Sequence, residues 1–433
     1  MKTLFPAQAR ALDFFVGCHK RKLATLDSSV VGTGKTIVAI HLALKLGQPI
    51  AVLCPKSVIT NWKRELAAHG LEPLFVLNYE KIRNGKTEFL NKVGKKIMRW
   101  TLPLNTLVIV DECHKCKGPF TQNSQLLISA KQQNVSLHLL SATACEDPTE
   151  MRAIGFALGL HSLNNSVGVL RSWQTWMRNN GCVQDPWGGW VLSKRKQLTP
   201  IRNLMYNSCA FRLTVADFPD SFRNNRVQVL PVSCNKTTNS VYTNAGITEE
   251  AIVSYLEDET VLEDPTQEDL FIVRLLRARQ EAELLKVPEL VTMANDYVEQ
   301  GMSVVLFVNF RETTAQLCEA LKCSAIQGGQ TADQRQLAVD QFQEDYSKCL
   351  VANIEAGGTG LSLHDTLGNR PRVALISPTF NVKSHLQVLG RIYRNGAKSD
   401  ALQQIIVAAD TVEEAVMGII TNKLKNLKAL HGI

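Results

Sequence analysis

The sequence predicts an α/β fold with two lobes, each a parallel sheet covered by helices, and a mostly helical insert between the lobes. Short apolar runs recur in both halves of the chain and alternate with amphipathic stretches such as Lys35–Leu46. Apolar runs of strand length are typical of parallel strands that are buried on both faces. The predicted strands are Leu23–Leu26, Ile50–Cys54, Leu107–Val110 and Leu137–Leu140 in the first lobe, and Val304–Val308, Cys349–Ala352 and Val373–Ile376 in the second.

Composition supports a folded protein of more than one domain. The 433 residues allow two or three domains of about 150 residues each, and 45% of them are hydrophobic. No apolar run reaches the roughly 18 residues of a membrane span, and the N-terminus lacks a signal-peptide pattern. Eleven scattered cysteines indicate free thiols in a reducing compartment. We therefore expect a soluble intracellular protein, in the cytoplasm or nucleoid, or in a host cell for a viral protein, with no membrane partner.

A glycine-rich turn follows the first predicted strand and opens the first amphipathic helix. It reads Ser29-Val-Val-Gly-Thr-Gly-Lys-Thr36. Backbone N–H groups of such a turn and the positive end of the helix dipole can converge on a phosphate. Lys35 would neutralise the β- and γ-phosphates, and the Thr36 hydroxyl would ligate Mg²⁺. The predicted cofactors are ATP and Mg²⁺, and the predicted nucleotide-binding residues here are Ser29, Gly32, Thr33, Gly34, Lys35 and Thr36.

Two acidic residues end the apolar strand Leu107–Val110. The segment reads Asp111-Glu-Cys-His114. Asp111 can hold Mg²⁺ through its water shell, and Glu112 can polarise the attacking water. Cys113 and Cys116 form a lone C-x-x-C pair, for which ordinary thiols are favoured over a zinc or redox site because no second pair follows at ligand spacing.

Three stretches of unusual composition lie between the strands. Residues 80–99 carry seven basic and two acidic side chains, which suits either a phosphate backbone or a solvated loop. Residues 249–269 hold nine acidic and no basic side chains and are interpreted as a solvated helical face. The region around 160–200 is rich in tryptophan, for which core packing is favoured over stacking with bases. Its tryptophans are Trp173, Trp176, Trp187 and Trp190.

These changes in composition predict three parts. The first lobe covers residues 1–225 and includes the tryptophan-rich protrusion. A linker and helical protrusion cover residues 226–285, and the second lobe covers residues 286–433.

The motifs and their order resemble the SWI/SNF-type DNA translocases of helicase superfamily two, in a compact form without accessory domains. The resemblance implies two RecA-like lobes and a nucleic-acid-dependent ATPase. Three features depart from the family pattern: Ser29-Val-Val31 in the phosphate loop, the D-E-C-H box and the Ser141-Ala-Thr143 motif. The segments that carry the resemblance are Leu4–Gln8, Cys54–Glu65, Asn78–Lys81, Asp111–His114, Ser141–Thr143, Phe211–Pro219, Val304–Phe310, Gly328–Phe342, Ala356–Leu363 and Gln387–Arg394.

The resemblance also implies roles for single residues. Gln8 would read the adenine edge, and Gly360 would belong to the nucleotide site. Arg391 and Arg394 would reach the nucleotide from the second lobe and act in catalysis with Lys35 and Glu112. The residues implied to couple the nucleotide and nucleic-acid sites are Ser141, Thr143 and Gln387, and those implied to contact nucleic acid are Lys56, Asn61, Lys63, Arg335 and Thr359.

The leading functional hypothesis is an ATP-driven translocase that moves as a monomer along double-stranded DNA with little sequence preference. The net charge of +8 permits such a polyanionic track, and branched or single-stranded nucleic acid is a further candidate partner. The alternative is a strand-separating D-E-C-H-type helicase on RNA or single-stranded DNA. A third reading, a nucleotide-gated scaffold without turnover, is disfavoured by the set of Lys35, Glu112, Arg391 and Arg394.

Overall fold

Two six-stranded parallel sheets dominate the computed structural model of the chain. The chain divides into two compact units: the first comprises the residues up to Phe218 together with those from Lys425 onward, and the second comprises Pro219–Leu424. This architecture confirms the predicted fold class. The structure describes residues 3–85, 87–93, 97–118, 120–145, 148–165, 167–185, 189–193, 198–219, 221–233, 236–258, 265–357 and 361–431.

The first unit has a sheet whose strands run in the order β10-β1-β7-β6-β2-β3. Its strands are β1 (Thr25–Asp27), β2 (Ile50–Cys54), β3 (Phe75–Asn78), β6 (Leu107–Asp111), β7 (Ser136–Leu140) and β10 (Ala210–Phe211). Two antiparallel pairs lie outside the sheet: β4 (Leu90–Val93) with β5 (Ile97–Trp100), and β8 (Cys182–Gln184) with β9 (Trp190–Leu192).

Eight α-helices are described in the first unit before residue 218. They are α1 (Pro6–Lys20), α2 (Lys35–Leu46), α3 (Ile59–Ala68), α4 (Tyr79–Arg83), α5 (Gln122–Gln132), α6 (Arg152–Leu158), α7 (Trp173–Asn179) and α8 (Thr199–Tyr206). Short 3₁₀ turns at Lys56–Val58, Cys113–Cys116, Pro148–Met151 and Val215–Asp217 connect them to the strands.

The core of the first unit includes the tryptophan-rich region. Trp173 and Trp176 are buried in the same apolar cluster as Leu26, and Trp190 packs against it half-buried. Core packing, the favoured interpretation, is therefore confirmed for these three side chains. Trp187 lies outside the described residues.

The second unit has strands in the order β11-β16-β15-β12-β14-β13. They are β11 (Asn225–Val232), β12 (Ser303–Val308), β13 (Ser324–Ile326), β14 (Cys349–Asn353), β15 (Arg372–Ile376) and β16 (Ala401–Ala408). The helices are α9 (Lys236–Asn244), α10 (Glu249–Asp258), α11 (Pro265–Leu285), α12 (Val287–Glu299), α13 (Arg311–Leu321), α14 (Ala332–Gln343), α15 (Ile354–Gly357), α16 (Val382–Leu389) and α17 (Val412–His431). The residues of α17 from Lys425 onward are assigned to the first unit.

Each predicted strand is present, with ends that differ by at most two residues. The segment 226–285, predicted as a linker and helical protrusion, contains most of β11 and all of α9, α10 and α11. In the described part of the chain, none of the helices combines the length and the apolar character needed to cross a membrane.

Candidate nucleotide site

The candidate site lies at the carboxyl edge of the first sheet, where β1, β7 and β6 are neighbours. Parallel strands end at the same edge, and ligands of open α/β sheets bind just beyond it. The glycine-rich turn follows β1, the acidic pair ends β6, and Ser141 follows β7. The sheet order therefore brings together three predicted motifs that are spread over positions 29 to 143 of the sequence.

The phosphate loop has the backbone geometry that its glycines permit. Gly32 has a φ of +89° and Gly34 a φ of +92°, and α2 begins directly afterwards at Lys35. Few side chains tolerate such angles. The Lys35 ammonium lies over the loop and donates to the carbonyl oxygen of Ser29 at 2.7 Å and of Val30 at 3.4 Å. It is thus aimed where a phosphate cradled by the loop would sit.

Burial and nearby charges act in opposite directions on the pKa of Lys35. Burial lowers the pKa of the ammonium, while the carboxyl groups of Asp27, Glu112 and Asp111, in that order, raise it. Burial is the larger effect, so the pKa of Lys35 is lowered overall and the three acids oppose that shift only in part. Thr36, the second residue of α2, is half-buried in the same turn.

Gln8 packs directly against the phosphate loop. Its Nε2 donates to the carbonyl oxygen of Thr33 at 2.8 Å, and its Oε1 accepts from the N–H of Phe5 at 3.0 Å. A Cβ on Gly34 would lie 2.4 Å from that same Nε2. The structure therefore places Gln8 against the loop, and a side chain at position 34 would have to displace the Gln8 amide. That Gln8 reads the adenine edge stays a prediction.

The acidic pair is held rigidly at the end of β6. Asp111 accepts from the indole Nε1 of Trp62 on Oδ2 at 2.8 Å and from the N–H of Glu112 on Oδ1 at 3.0 Å. The Tyr79 hydroxyl donates to the carbonyl oxygen of Asp111 at 2.6 Å. Burial, followed by the charge of Glu112, raises the pKa of Asp111 to about 7. A bound cation would hold this carboxyl in its ionised form.

Glu112 and the Ser141–Thr143 motif are joined through His114. Glu112 has a left-handed backbone with a φ of +53°, an uncommon conformation for a non-glycine residue. His114 Nδ1 lies 3.1 Å from Glu112 Oε2 and 3.2 Å from the Ser141 hydroxyl. The Ser141 hydroxyl accepts from the Thr143 N–H at 3.2 Å. Two of the three predicted coupling residues are thus connected to the predicted base.

The thiols beside this site are buried. Cys113 and Cys116 are fully buried in the core, neither forms a disulfide, and burial is the main cause that raises the pKa of both.

Sequence reasoning missed several residues of the site. Asp27 is buried at the end of β1, and its Oδ1 accepts from the Ser29 N–H at 2.9 Å. Arg212 donates from Nη1 to the carbonyl oxygens of Ser28 at 2.6 Å and of Ala142 at 3.3 Å. It therefore ties the phosphate loop to the Ser141–Thr143 motif. The Phe211–Thr214 segment was available as a motif, but its contacts depend on the position of β10 beside β1.

The remaining predicted nucleotide residues belong to the second unit. Arg391 is buried and donates to the carbonyl oxygens of Gln387 at 2.8 Å and Leu361 at 3.1 Å. Arg394 donates from Nη1 to the Ser362 hydroxyl at 2.8 Å, and burial lowers the pKa of its guanidinium to about 10. Gln387, Arg391 and Arg394 therefore share one turn-helix region. Gly360 lies outside the described residues.

The predicted nucleic-acid residues are placed in both units. Lys56 and Lys63 are exposed, and the Oδ1 of half-buried Asn61 accepts from Arg64 at 2.9 Å. In the second unit Arg335 donates to the carbonyl oxygen of Gln327 at 3.1 Å. Thr359 lies outside the described residues.

The donor set fits a nucleotide and a hard divalent cation. Carboxylate and hydroxyl oxygens are what Mg²⁺ prefers. Asp111 supplies a carboxylate at the end of β6, and Thr36 supplies a hydroxyl in the first turn of α2. Positive charge from Lys35 and the N-terminus of α2 suits phosphate oxygens.

Comparisons with known proteins give the same picture. The helicase conserved C-terminal domain matches residues 285–396. "Putative ATP-dependent RNA helicase L364" of Acanthamoeba polyphaga mimivirus is 32% identical over 461 residues, covering 99% of this chain and 83% of that protein. The CHD3-type chromatin-remodeling factor CHR7 of Arabidopsis thaliana is 23% identical, covering 98% of this chain but 37% of that protein.

Among solved structures, the Sulfolobus solfataricus SWI2/SNF2 ATPase core in complex with double-stranded DNA covers 99% of this chain and 97% of that one. Its TM-score is 0.39 and its sequence identity 14%. The assignment rests instead on the sequence relatives and on the order of motifs at the sheet edge. The chain belongs to the SWI/SNF-type helicase-like ATPases of superfamily two, and it is a nucleic-acid-dependent ATPase.

Proposed function

We propose that the chain is an ATP-dependent translocase that moves as a monomer along double-stranded DNA with little sequence preference. The observation that carries the ATPase part is the contact series from Glu112 through His114 to Ser141, beside the phosphate loop. This series of contacts connects Glu112, which would orient the attacking water, with the Ser141–Thr143 motif, which is proposed to couple the nucleotide site to the nucleic-acid site. The DNA part is supported by relatives named as chromatin-remodeling and DNA repair proteins.

In this proposal the nucleotide is ATP and the cation is Mg²⁺. Lys35 and the N–H groups of the loop hold the phosphates, while Thr36 and Asp111 hold the cation. Glu112 orients the attacking water and accepts its proton. When bound, Mg²⁺ neutralises charge on the phosphate oxygens. Arg391 and Arg394 are proposed to stabilise the charge that develops in the transition state, an effect that is worth roughly 10³–10⁵ in rate for arginine fingers.

The nucleic-acid grip is proposed to use Lys56, Asn61 and Lys63 in the first lobe and Arg335 and Thr359 in the second. Contacts to phosphates position a protein without reading bases, which accounts for the low sequence preference. The proposed domains remain 1–225, 226–285 and 286–433.

A second candidate function is strand separation on RNA or single-stranded DNA. It is favoured by the printed name of the mimivirus relative, an RNA helicase. Ser141-Ala-Thr143 and the cysteine of the D-E-C-H box also lean towards it.

ATP hydrolysis measured with no polymer, duplex DNA, single-stranded DNA and single-stranded RNA tests the proposal. Lys35→Ala serves as the blank, and Glu112→Gln tests turnover. We expect duplex DNA to stimulate ATP hydrolysis more than the other polymers do. In a separate assay, we expect the translocating protein to displace the third strand of a DNA triplex. Stimulation by RNA or single strands alone would establish the second candidate. No Lys35-dependent hydrolysis with any polymer would contradict both.

A further inference from the structure

A buried tryptophan on α3 forms a hydrogen bond with the first residue of the acidic pair. Trp62 is 1% exposed, and its indole Nε1 lies 2.8 Å from Asp111 Oδ2. The other carboxylate oxygen accepts from the Glu112 N–H at 3.0 Å. The two donors fix the rotation of the carboxylate about its terminal bond, because each oxygen has its own partner at hydrogen-bond distance.

The tryptophan stands on a helix with two different faces. On α3, Trp62 and Leu66 are buried against the sheet, whereas Lys63 and Arg64 are exposed. Asn61, on the same helix, is one of the residues proposed to contact nucleic acid. Helix α3 therefore carries both Trp62, which donates a hydrogen bond to Asp111, and residues that are proposed to contact nucleic acid.

We propose that Trp62 is a positioning residue that sets the Asp111 carboxylate for the cation through its indole N–H. This inference rests on the proposed role of Asp111 in holding Mg²⁺. Groups that hydrogen-bond a metal ligand orient it, and their removal typically costs 10–100-fold in metal affinity or activity. Phenylalanine cannot donate this hydrogen bond, although it fills most of the same space.

The test compares Trp62→Phe with Trp100→Phe in the full chain. Trp100 is also buried in the first unit, and its indole Nε1 donates to the Ser129 hydroxyl at 3.0 Å, away from the sheet edge. The measurement is the affinity for methylanthraniloyl-ADP, followed by fluorescence while Mg²⁺ is titrated without polymer. We expect the Mg²⁺ midpoint to rise about tenfold in Trp62→Phe and to stay within about twofold of the unmodified chain in Trp100→Phe.

A double-mutant cycle separates positioning from general packing. In an Asp111→Ala background the carboxylate is gone, so adding Trp62→Phe should leave nucleotide affinity unchanged. An equal loss with and without Asp111 would overturn the proposal, as would an unchanged Mg²⁺ midpoint in the single variant.

The outcome is independent of the translocase proposal. A chain whose hydrolysis is not stimulated by duplex DNA would contradict translocation and leave the Mg²⁺ comparison intact. Nucleotide binding that ignores Mg²⁺ in the unmodified chain would overturn the role of Trp62.

Discussion

At the scale of single residues, the phosphate loop depends on a close approach between Gly34 and Gln8. A methyl group at position 34 would need to displace the Gln8 amide and would keep a strained backbone at φ +92°. We expect Gly34→Ala to lower the free energy of unfolding by about 1–3 kcal/mol and to abolish nucleotide binding. Chemical denaturation and fluorescent-nucleotide titration measure the two effects.

Gly17→Ala is the matched control for that substitution. Gly17 is exposed on α1 and a Cβ there meets nothing within 4 Å. Alanine should stabilise the helix by about 0.5–1 kcal/mol. Equal effects of the two substitutions would show that the loop does not depend on the contact with Gln8.

A second residue-scale prediction concerns half-buried His19 near the end of α1 and buried His138 in β7. The Thr25 hydroxyl lies 2.9 Å from His19 Nε2 and 2.8 Å from His138 Nδ1. Burial lowers the pKa of His19 to about 4 and lowers that of His138 well below its usual value. Both are therefore neutral when folded and take up protons more readily when unfolded.

The sign of the pH dependence follows from this difference. The stability that neutral histidines contribute is complete above their unfolded pKa near 6.5 and is lost as the pH falls towards 4. We expect the free energy of unfolding from urea titrations to decrease over that range, and His19→Gln to flatten the slope. If His19→Gln left the pH dependence of the free energy of unfolding unchanged, His19 would not be its source.

At the scale of elements, a buried ion pair joins α12 to α17 within the second unit. Lys286, which precedes α12, lies 2.7 Å from Glu413 near the start of α17, and both are buried. Glu413 also accepts from the Tyr242 hydroxyl at 3.1 Å and from the Ala408 N–H at 2.8 Å. Removing one partner leaves a buried charge without compensation.

We expect Lys286→Met to cost about 3–5 kcal/mol of stability, measured by calorimetry. Adding Glu413→Gln should recover much of that loss because the unpaired carboxylate at position 413 is then replaced by a neutral amide. Arg10→Met breaks a pair with Asp217 in which the arginine side chain is 66% exposed, and it should cost at most about 1 kcal/mol. A double variant as unstable as Lys286→Met alone would contradict this account.

The elements also show what sequence patterns reveal. Continuous apolar runs identified the central strands because both faces of a parallel sheet are covered. β16 was missed because Gln403 and Gln404 interrupt its apolar pattern, yet both are buried, and Gln403 donates to Asn225 of β11 at 2.8 Å. β10 and β13 have only two or three residues, too few for a reliable pattern. β1 is equally short, but it was predicted from the apolar run Leu23–Leu26.

In the candidate site, too, sequence patterns predicted some residues and could not predict others. Motif spacing predicted Lys35 and Asp111 because phosphate and metal chemistry restrict residue types at short range. Trp62, His114 and Arg212 could not be assigned roles from sequence, since each acts through a partner that the sheet order brings near.

At the scale of the whole molecule, binding to a polymer backbone should depend steeply on salt. Neutralising each phosphate contributes about −0.9 to the slope of log K against log salt for duplex DNA. We expect Lys56→Ala with Lys63→Ala to reduce the slope by about 2, measured by fluorescence anisotropy. Lys45→Ala is the control, because this exposed residue lies at the end of α2 far from the loop. If the salt dependence of binding were unchanged in the double variant, Lys56 and Lys63 would not contact the phosphates of the nucleic acid.

The buried thiols of Cys113 and Cys116, next to the acidic pair, can report on local unfolding of this part of the first unit. Alkylation requires an accessible thiolate, and Cys113 and Cys116 offer neither access nor a low pKa while the sheet edge is closed. They can react only during local unfolding of that edge. Cys318 and Cys323, half-buried in the second unit, would be modified sooner. The order in which the cysteines are alkylated therefore ranks the local stability of the regions around them, without introducing any new cysteine into the protein.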